Sequence, residues 1–199
     1  MKVMLHACCG PCLLEPFDAI AAEHEVVVCY ANPNIHPAAE YERRRDTLMA
    51  YVRERGLAAV ELAYDPDAWR MAVRGIEADR VRRCEACFRL RLGMVAHAAA
   101  DAGCDAVAST LTVSPYQDQA AVDRAGRAAC AEAGVTWLGG DFRDRYPEAT
   151  RRSRELGMYR QNYCGCVYGV AEAEADRAHR REERAAAKRG QSEEPPASE

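Results

Sequence analysis

Lys2-Val-Met-Leu-His-Ala7 is a short apolar run that stops at Cys8-Cys-Gly-Pro-Cys12, and residues 12–22 then place Leu13, Phe17 and Ile20 at helical spacing. The stretch reads as strand, turn and helix, with cysteines filling the turn. The same alternation continues downstream. Residues 25–31, EVVVCYA, predict a buried strand from their β-branched content, and residues 38–55 a helix ended by Gly56. Residues 58–63 predict a third strand, 66–75 a short helix opening after Asp65, and 84–102 a longer one closed by Gly103. Residues 105–110 predict a fourth strand, 115–133 a helix capped by Ser114, and 135–138 a fifth strand. Two further helices are expected over 146–156 and 171–188. Strands alternating with helices imply an α/β fold: a doubly wound, Rossmann-type, mostly parallel sheet with helices on both faces, here followed by a C-terminal helix. Such folds bind ligands beyond the carboxyl ends of their strands. The end of strand one is Cys8, Cys9 and Cys12, and the end of strand four runs from Ser109 to Ser114.

Seven of the ten cysteines form three tight groups: Cys8, Cys9 and Cys12; Cys84 and Cys87; Cys164 and Cys166. Thiolates so closely spaced converge on one point without long side chains, and three groups from distant segments can build one polynuclear centre. Seven exceed one tetrahedral zinc site. An iron-sulfur cube takes four, leaving three for a second metal with an open coordination position. Cys9-Gly-Pro-Cys12, after a strand and opening a helix, also has the arrangement of a thioredoxin-like thiol-disulfide exchanger, in which the helix N-terminus lowers the attacking thiol's pKa. Against that stand the adjoining Cys8, the lack of a preceding tryptophan, and four more paired cysteines. A zinc or cluster staple without catalysis is a third possibility. Cys29, Cys104 and Cys130 have no neighbouring cysteine and read as small buried hydrophobes.

At 199 residues the chain suits one domain, expected over 1–188, with 189–199 a disordered tail containing Pro195-Pro196 and serines. No segment approaches the run of ~20 apolar residues a membrane helix needs, and residues 1–5 lack a targeting pattern, so no membrane partner and a cytoplasmic location are expected. That compartment keeps thiols reduced, which favours metal ligation or catalysis over structural disulfides. The formal net charge of -4 argues against nucleic acid in bulk, but it conceals clusters of arginine at 43–45, 80–83, 89 and 91, and 151–154. Recognition of phosphates depends on the local field.

Leu5-His-Ala-Cys-Cys-Gly-Pro-Cys12, Tyr30-Ala-Asn-Pro-Asn-Ile35, Arg83-Cys-x-x-Cys87 with Arg89-Leu90, Thr110-Leu-Thr-Val-Ser-Pro115 and Tyr159-Arg-Gln-x-Tyr-Cys-Gly-Cys166 together resemble the QueH family of epoxyqueuosine reductases, from Met1 to about Val170. The resemblance implies a HUP-like α/β fold, a 4Fe-4S cluster beside an additional mononuclear iron, and removal of the epoxide oxygen from epoxyqueuosine at the wobble position of a tRNA anticodon loop. In some relatives the last position of the first motif is an aspartate bound to the additional iron. Here it is Cys12, which leaves that iron's oxygen ligand open. Epoxide deoxygenation takes two electrons and two protons, which suits a cube that passes single electrons beside a Lewis-acidic iron. No flavin or nicotinamide fingerprint is visible, so an external electron donor is required.

Proton donors must come from outside the cysteines. Asp141, just past strand five, and Tyr163, beside the last cysteine pair, are the candidate catalytic acids, with Tyr159 and His6 also near the motifs. Asn32 and Asn34 end strand two in the same crevice and carry amides able to read a base edge. Ser114 opens a predicted helix whose N–H groups could hold a phosphate. Arg160 completes the candidate substrate-binding set, with Arg43 to Arg45, Arg82, Arg83 and Arg89 as further backbone contacts. Each also has an ordinary structural role: cap, turn former, packed ring or helix-side ion pair.

Overall fold

β1 (Lys2–His6) occupies the centre of a five-stranded sheet in the computed structural model, which describes residues 1–192. The strands are β1, β2 (Glu25–Tyr30), β3 (Ala59–Glu61), β4 (Ala106–Ser109) and β5 (Thr136–Trp137), ordered β3-β2-β1-β4-β5, and every pair is parallel. A central strand in such a sheet is covered on both faces, and alternate side chains must therefore both be apolar. Val3, Met4 and Leu5 of β1 meet that demand. Val3, Leu5 and Ala7 pack with Leu13, Leu14 and Phe17 of α1 (Gly10–Ala21) and Leu48 and Val52 of α2 (Ala38–Glu54). Met4 faces the other way, into a cluster with Phe88, Leu92 and Val95 of α4 (Arg80–Asp101) and Val122 and Ala129 of α5 (Gln119–Ala133). Burial of each large apolar side chain is worth about 1.5–3 kcal/mol.

The strand order fixes where the crevice lies. From β1 the chain steps outward through β2 to β3, and then returns to lay β4 against the opposite edge of β1. That reversal separates the loops following β1 and β4, making the switch point at which open α/β sheets bind ligands. The loop after β1 is the first cysteine group.

Three helix starts follow aspartate caps. Asp65 accepts from Asp67 N and Ala68 N at the start of α3 (Pro66–Ala72), and Asp79 accepts from Arg82 N, so α4 opens four residues before the predicted start at Cys84. The helix expected from 115 instead begins at Gln119, because Asp118 accepts from Ala121 N. Residues Thr110–Val113 form a short 3-10 helix, and Ser114 accepts from Tyr116 N in the turn that follows. The proposed helix-terminal phosphate site at Ser114 is thereby corrected: no α-helix opens there.

α6 (Tyr146–Glu155) is fastened to α1 by Arg152, which reaches Glu15 at 2.6 Å and Asp18 at 2.7 Å. The chain divides into two compact units, Met1–Arg160 and one starting at Gln161. In the second unit α7 (Gly169–Ser192) runs past the predicted end at 188, and the rest of the tail expected over 189–199, residues 193–199, lies outside the described residues. Among the described residues no helix is long and apolar enough to cross a membrane.

α5 lies against β5 through Gly126, where an added Cβ would come within 2.5 Å of the Trp137 ring, itself pinned by an indole N–H donated to Asp123 at 2.7 Å. Gly126→Ala is therefore expected to destabilise the fold by about 1–3 kcal/mol through overpacking, read as a lower denaturant midpoint with an unchanged slope.

Candidate metal centre

Cys9 caps α1 with extended backbone (φ -174°, ψ 169°), and Gly10, Pro11 and Cys12 form the first turn. This local geometry turns three sulfurs inward. The Sγ atoms of Cys8, Cys9 and Cys12 all lie within 4.8 Å of one another, those of Cys8 and Cys9 at 3.8 Å. Gly10 allows the close approach of the turn to α2, since a Cβ there would sit 3.1 Å from Thr47 Cγ2. Pro16, inside α1, has no N–H to give to the Cys12 carbonyl. From the other side of the crevice Thr110 accepts from Cys8 N at 3.1 Å and turns its hydroxyl toward Cys8 Sγ at 3.5 Å.

The three thiols do not ionise alike. Hydrogen bonds from Cys12 and Cys9, helped by Thr110 and the charge of Arg91, hold the Cys8 thiol well below the ordinary range. Burial pushes Cys9 up to about 12, and Cys12 is raised well above the ordinary value by its bonds to Cys8 and Cys9 and by burial. Alone, the triad supports one thiolate. Two more require a neutralising cation, and soft thiolates select iron, zinc or copper(I), so the donor set fits a metal. The high pKa of Cys9 disfavours it as the attacking thiol of an exchanger.

Beneath the triad His6 is fully buried, its Nδ1 2.8 Å from Ser109 Oγ and its Nε2 3.2 Å from Ala31 O. Burial, together with nearby Arg91, lowers its pKa to about 3. It is neutral at physiological pH and ties β1 to β4 and β2. Arg91, from α4, donates Nη2 to Asn32 Oδ1, and Asn32 Nδ2 donates to Ala7 O at 3.0 Å. Both ends of the Asn32 amide are thus used within the protein. Asn34 is fully buried.

The other candidates spread more widely. Asp141 is bound by Arg143 through both carboxylate oxygens, and this pairing lowers its pKa, the wrong direction for a proton donor at neutral pH. Tyr159 donates its hydroxyl to Glu40 at 2.8 Å and lies under the Arg43 guanidinium. Arg44 is buried against Glu40 at 2.7 Å, and buried Arg83 donates to the Glu77 carbonyl, so neither presents its charge to solvent. Arg82, Arg89 and Arg160 are exposed, and Ser114 is half-buried.

Among the described residues Cys8, Cys9 and Cys12 are a group of three ligand atoms that meets within 4.8 Å. Cys84 and Cys87 lie one turn apart on α4, and Cys84 packs against the same apolar cluster as Cys8. Cys164 and Cys166 belong to the second unit, where Cys166 is buried, Cys164 exposed, and Tyr163 packs close to Gly169. Cys29, Cys104 and Cys130 are buried in the apolar cluster, and burial raises their pKa values. One feature escaped sequence reasoning: Tyr116, 58% exposed, meets the Tyr146 ring edge-on at 6.0 Å, and Tyr146 lies within electrostatic reach of Cys12. An aromatic just after a Ser-Pro turn was the available signal.

A parallel α/β sheet with a partly buried thiol triad at its switch point defines an α/β protein with a cysteine site able to hold a metal. The family profile described as epoxyqueuosine reductase QueH matches residues 3–172. Relatives named epoxyqueuosine reductase QueH include those of Dehalococcoides mccartyi, 34% identical over 86% of this chain and 93% of the relative, and Thermotoga maritima, 32% identical over 85% and 91%. That of Streptococcus pyogenes is 31% identical over 85% and 70%. The chain belongs to the epoxyqueuosine reductase QueH family and is an oxidoreductase.

His6 gives the site a pH signature. The unfolded imidazole takes up a proton near 6.5 whereas the folded one refuses it until about 3. The unfolded state therefore binds more protons in that window, and stability falls on acidification from 6.5 toward 3. The slope approaches about 1.4 kcal/mol per pH unit for one proton. Urea unfolding of the metal-free protein at a series of pH values should show this slope, and His6→Gln should flatten it.

Proposed function

We propose that this chain removes the epoxide oxygen from epoxyqueuosine in the anticodon loop of a tRNA, giving queuosine, at an iron centre held by its cysteines. The observation that carries the reading is the convergence of Cys8, Cys9 and Cys12 within 4.8 Å at the crevice of a chain of this family. The seven clustered cysteines divide into four for a 4Fe-4S cube and three for an additional mononuclear iron, with Cys8, Cys9 and Cys12 assigned to the inner chemistry. When bound, this group supplies single electrons and Lewis acidity. In the overall reaction two C–O bonds break, a C=C bond forms, and the oxygen leaves as water with two protons and two electrons from an external donor.

The protein's own residues supply the setting. The α1 N-terminus and the Thr110 hydroxyl favour negative charge on Cys8, and His6 stays neutral beneath it. Tyr163 is proposed as proton donor in preference to Asp141, because a phenol keeps its proton at neutral pH while Arg143 holds Asp141 ionised. The tRNA presents splayed bases, for which the exposed ring of Tyr116 offers a stacking face, and Arg82, Arg89 and Arg160 offer charges to phosphates. Asn34 and Ser114 remain proposed substrate contacts. A tRNA substrate also fits a cytoplasmic location.

Anaerobic incubation of the iron-loaded protein with reductant and epoxyqueuosine tRNA, followed by nucleoside mass analysis, should show loss of one oxygen. Unchanged nucleoside with a fully loaded centre would overturn the assignment in favour of a metal-stapled binding module. Cys8→Ser is expected to lower turnover by at least about 100-fold. Tyr116→Ala should raise KM for tRNA about 5- to 100-fold, the worth of one stacked base, while Tyr116→Phe stays near wild type.

A further inference from the structure

We propose that Arg91 is the counter-ion of the cysteine centre: its buried guanidinium, which no carboxylate among the described residues neutralises, is matched to the negative charge of a metal-thiolate group, and so sets the reduction potential of that group. The inference rests on the iron-centre reading above and deepens it.

Arg91 is 1% exposed and among the largest fully buried side chains. Its Nη2 donates to Asn32 Oδ1 and lies 3.4 Å from His6 Nε2, while Nε and Nη1 are buried and reach no acceptor. Among the described residues no carboxylate pairs with it. The contrast within the same chain is Arg44, equally buried but joined to Glu40 at 2.7 Å. Arg91 therefore meets an amide oxygen and an imidazole, both neutral, and it cannot escape by losing its proton. A buried charge with no anion at hydrogen-bond distance is among the more costly features a fold can carry, so negative charge still to be gained by the crevice is the simplest account of it.

The position of Arg91 indicates what the anion is. Asn32, which takes its hydrogen bond, donates in turn to Ala7 O, the residue before Cys8. Cys84, Cys87 and Arg91 are spaced seven and four residues apart on α4, which puts all three on one side of the helix. Arg91 thus links the turn after β1 with the helix bearing the second cysteine pair. A thiolate-ligated cluster carries net negative charge that grows by one on reduction, and a nearby fixed cation stabilises the reduced form more.

The test is anaerobic iron reconstitution of wild type, Arg91→Gln, Arg91→Lys and Arg53→Gln, with midpoint potentials from dye-mediated titration followed by electron paramagnetic resonance. Arg53 is exposed on α2 and controls for overall charge. The expected result is a more negative potential for Arg91→Gln, with Arg91→Lys and Arg53→Gln near wild type. Iron-free Arg91→Met, relieved of its unpaired charge, should melt no lower than iron-free wild type, and its gain in Tm on loading should be smaller.

Equal potentials for wild type and Arg91→Gln would overturn the proposal, as would equal shifts in Arg91→Gln and Arg91→Lys, which would assign the effect to hydrogen-bond geometry. If Arg91→Gln takes up no iron, normal loading of Arg91→Lys supports the charge requirement, and failure of both overturns it. If neither neutral variant folds while Arg91→Lys does, the charge serves the iron-free protein and the proposal falls. Wild type that takes up no iron overturns the centre itself. Wild type that loads iron but leaves epoxyqueuosine unchanged overturns the proposed function, and the potentials still decide the role of Arg91.

Discussion

The hydrogen bonds of the buried His6 ring to Ser109 and Ala31 fix where β1 ends, and the site depends on that end point. In the parallel register His6 faces Cys29 on β2 and Ser109 on β4. One imidazole joins the ends of all three central strands. A slip of one residue would turn every β1 side chain to the opposite face, sending Leu5 where Met4 belongs and carrying Cys8 away from Thr110. The low pKa of His6 is the cost of this lock, since a charged ring could not accept the same surroundings. Thiol chemistry at the switch point thus begins with a neutral histidine one layer below it.

Most of the fold was legible because its signals are local. The central strands are largely apolar on both faces, and the aspartate at 65 and the glycines at 56 and 103 mark helix ends directly. The error after β4 has a physical cause. Ser114-Pro115 has the composition of a helix start, yet Asp118 offers a carboxylate cap four residues beyond Ser114, and the intervening residues turn instead. Two caps competed, and spacing alone does not rank them. The same holds for Cys84, a plausible first-turn residue until Asp79 is seen to cap the helix.

The site was legible in its cysteines and illegible in its polar partners. Close spacing brings Cys8, Cys9 and Cys12 together through backbone geometry alone. Asn32, Asp141 and Tyr159 are different, because their roles depend on the residues that claim their hydrogen bonds: Arg91, Arg143 and Glu40 respectively. Of these only Arg143 is a sequence neighbour. Arg91 itself was visible as one more arginine on a charged helix, and nothing in its sequence surroundings distinguishes it from exposed Arg89.

That distinction changes how the arginine clusters bear on a nucleic-acid partner. Arg44, Arg83 and Arg91 point into the protein, and Arg151 and Arg152 are held by Glu148, Glu155, Glu15 and Asp18. Such charges cannot release counterions from a phosphate backbone, because they are already buried or neutralised. The formal net charge of -4 therefore understates the separation of roles. On the proposed reading, a chain of this charge has little general attraction for tRNA, and binding rests on a few exposed guanidinium groups and an aromatic face rather than on a basic surface. Affinity built that way favours a splayed loop over a duplex, because a duplex offers phosphates but no open base to stack.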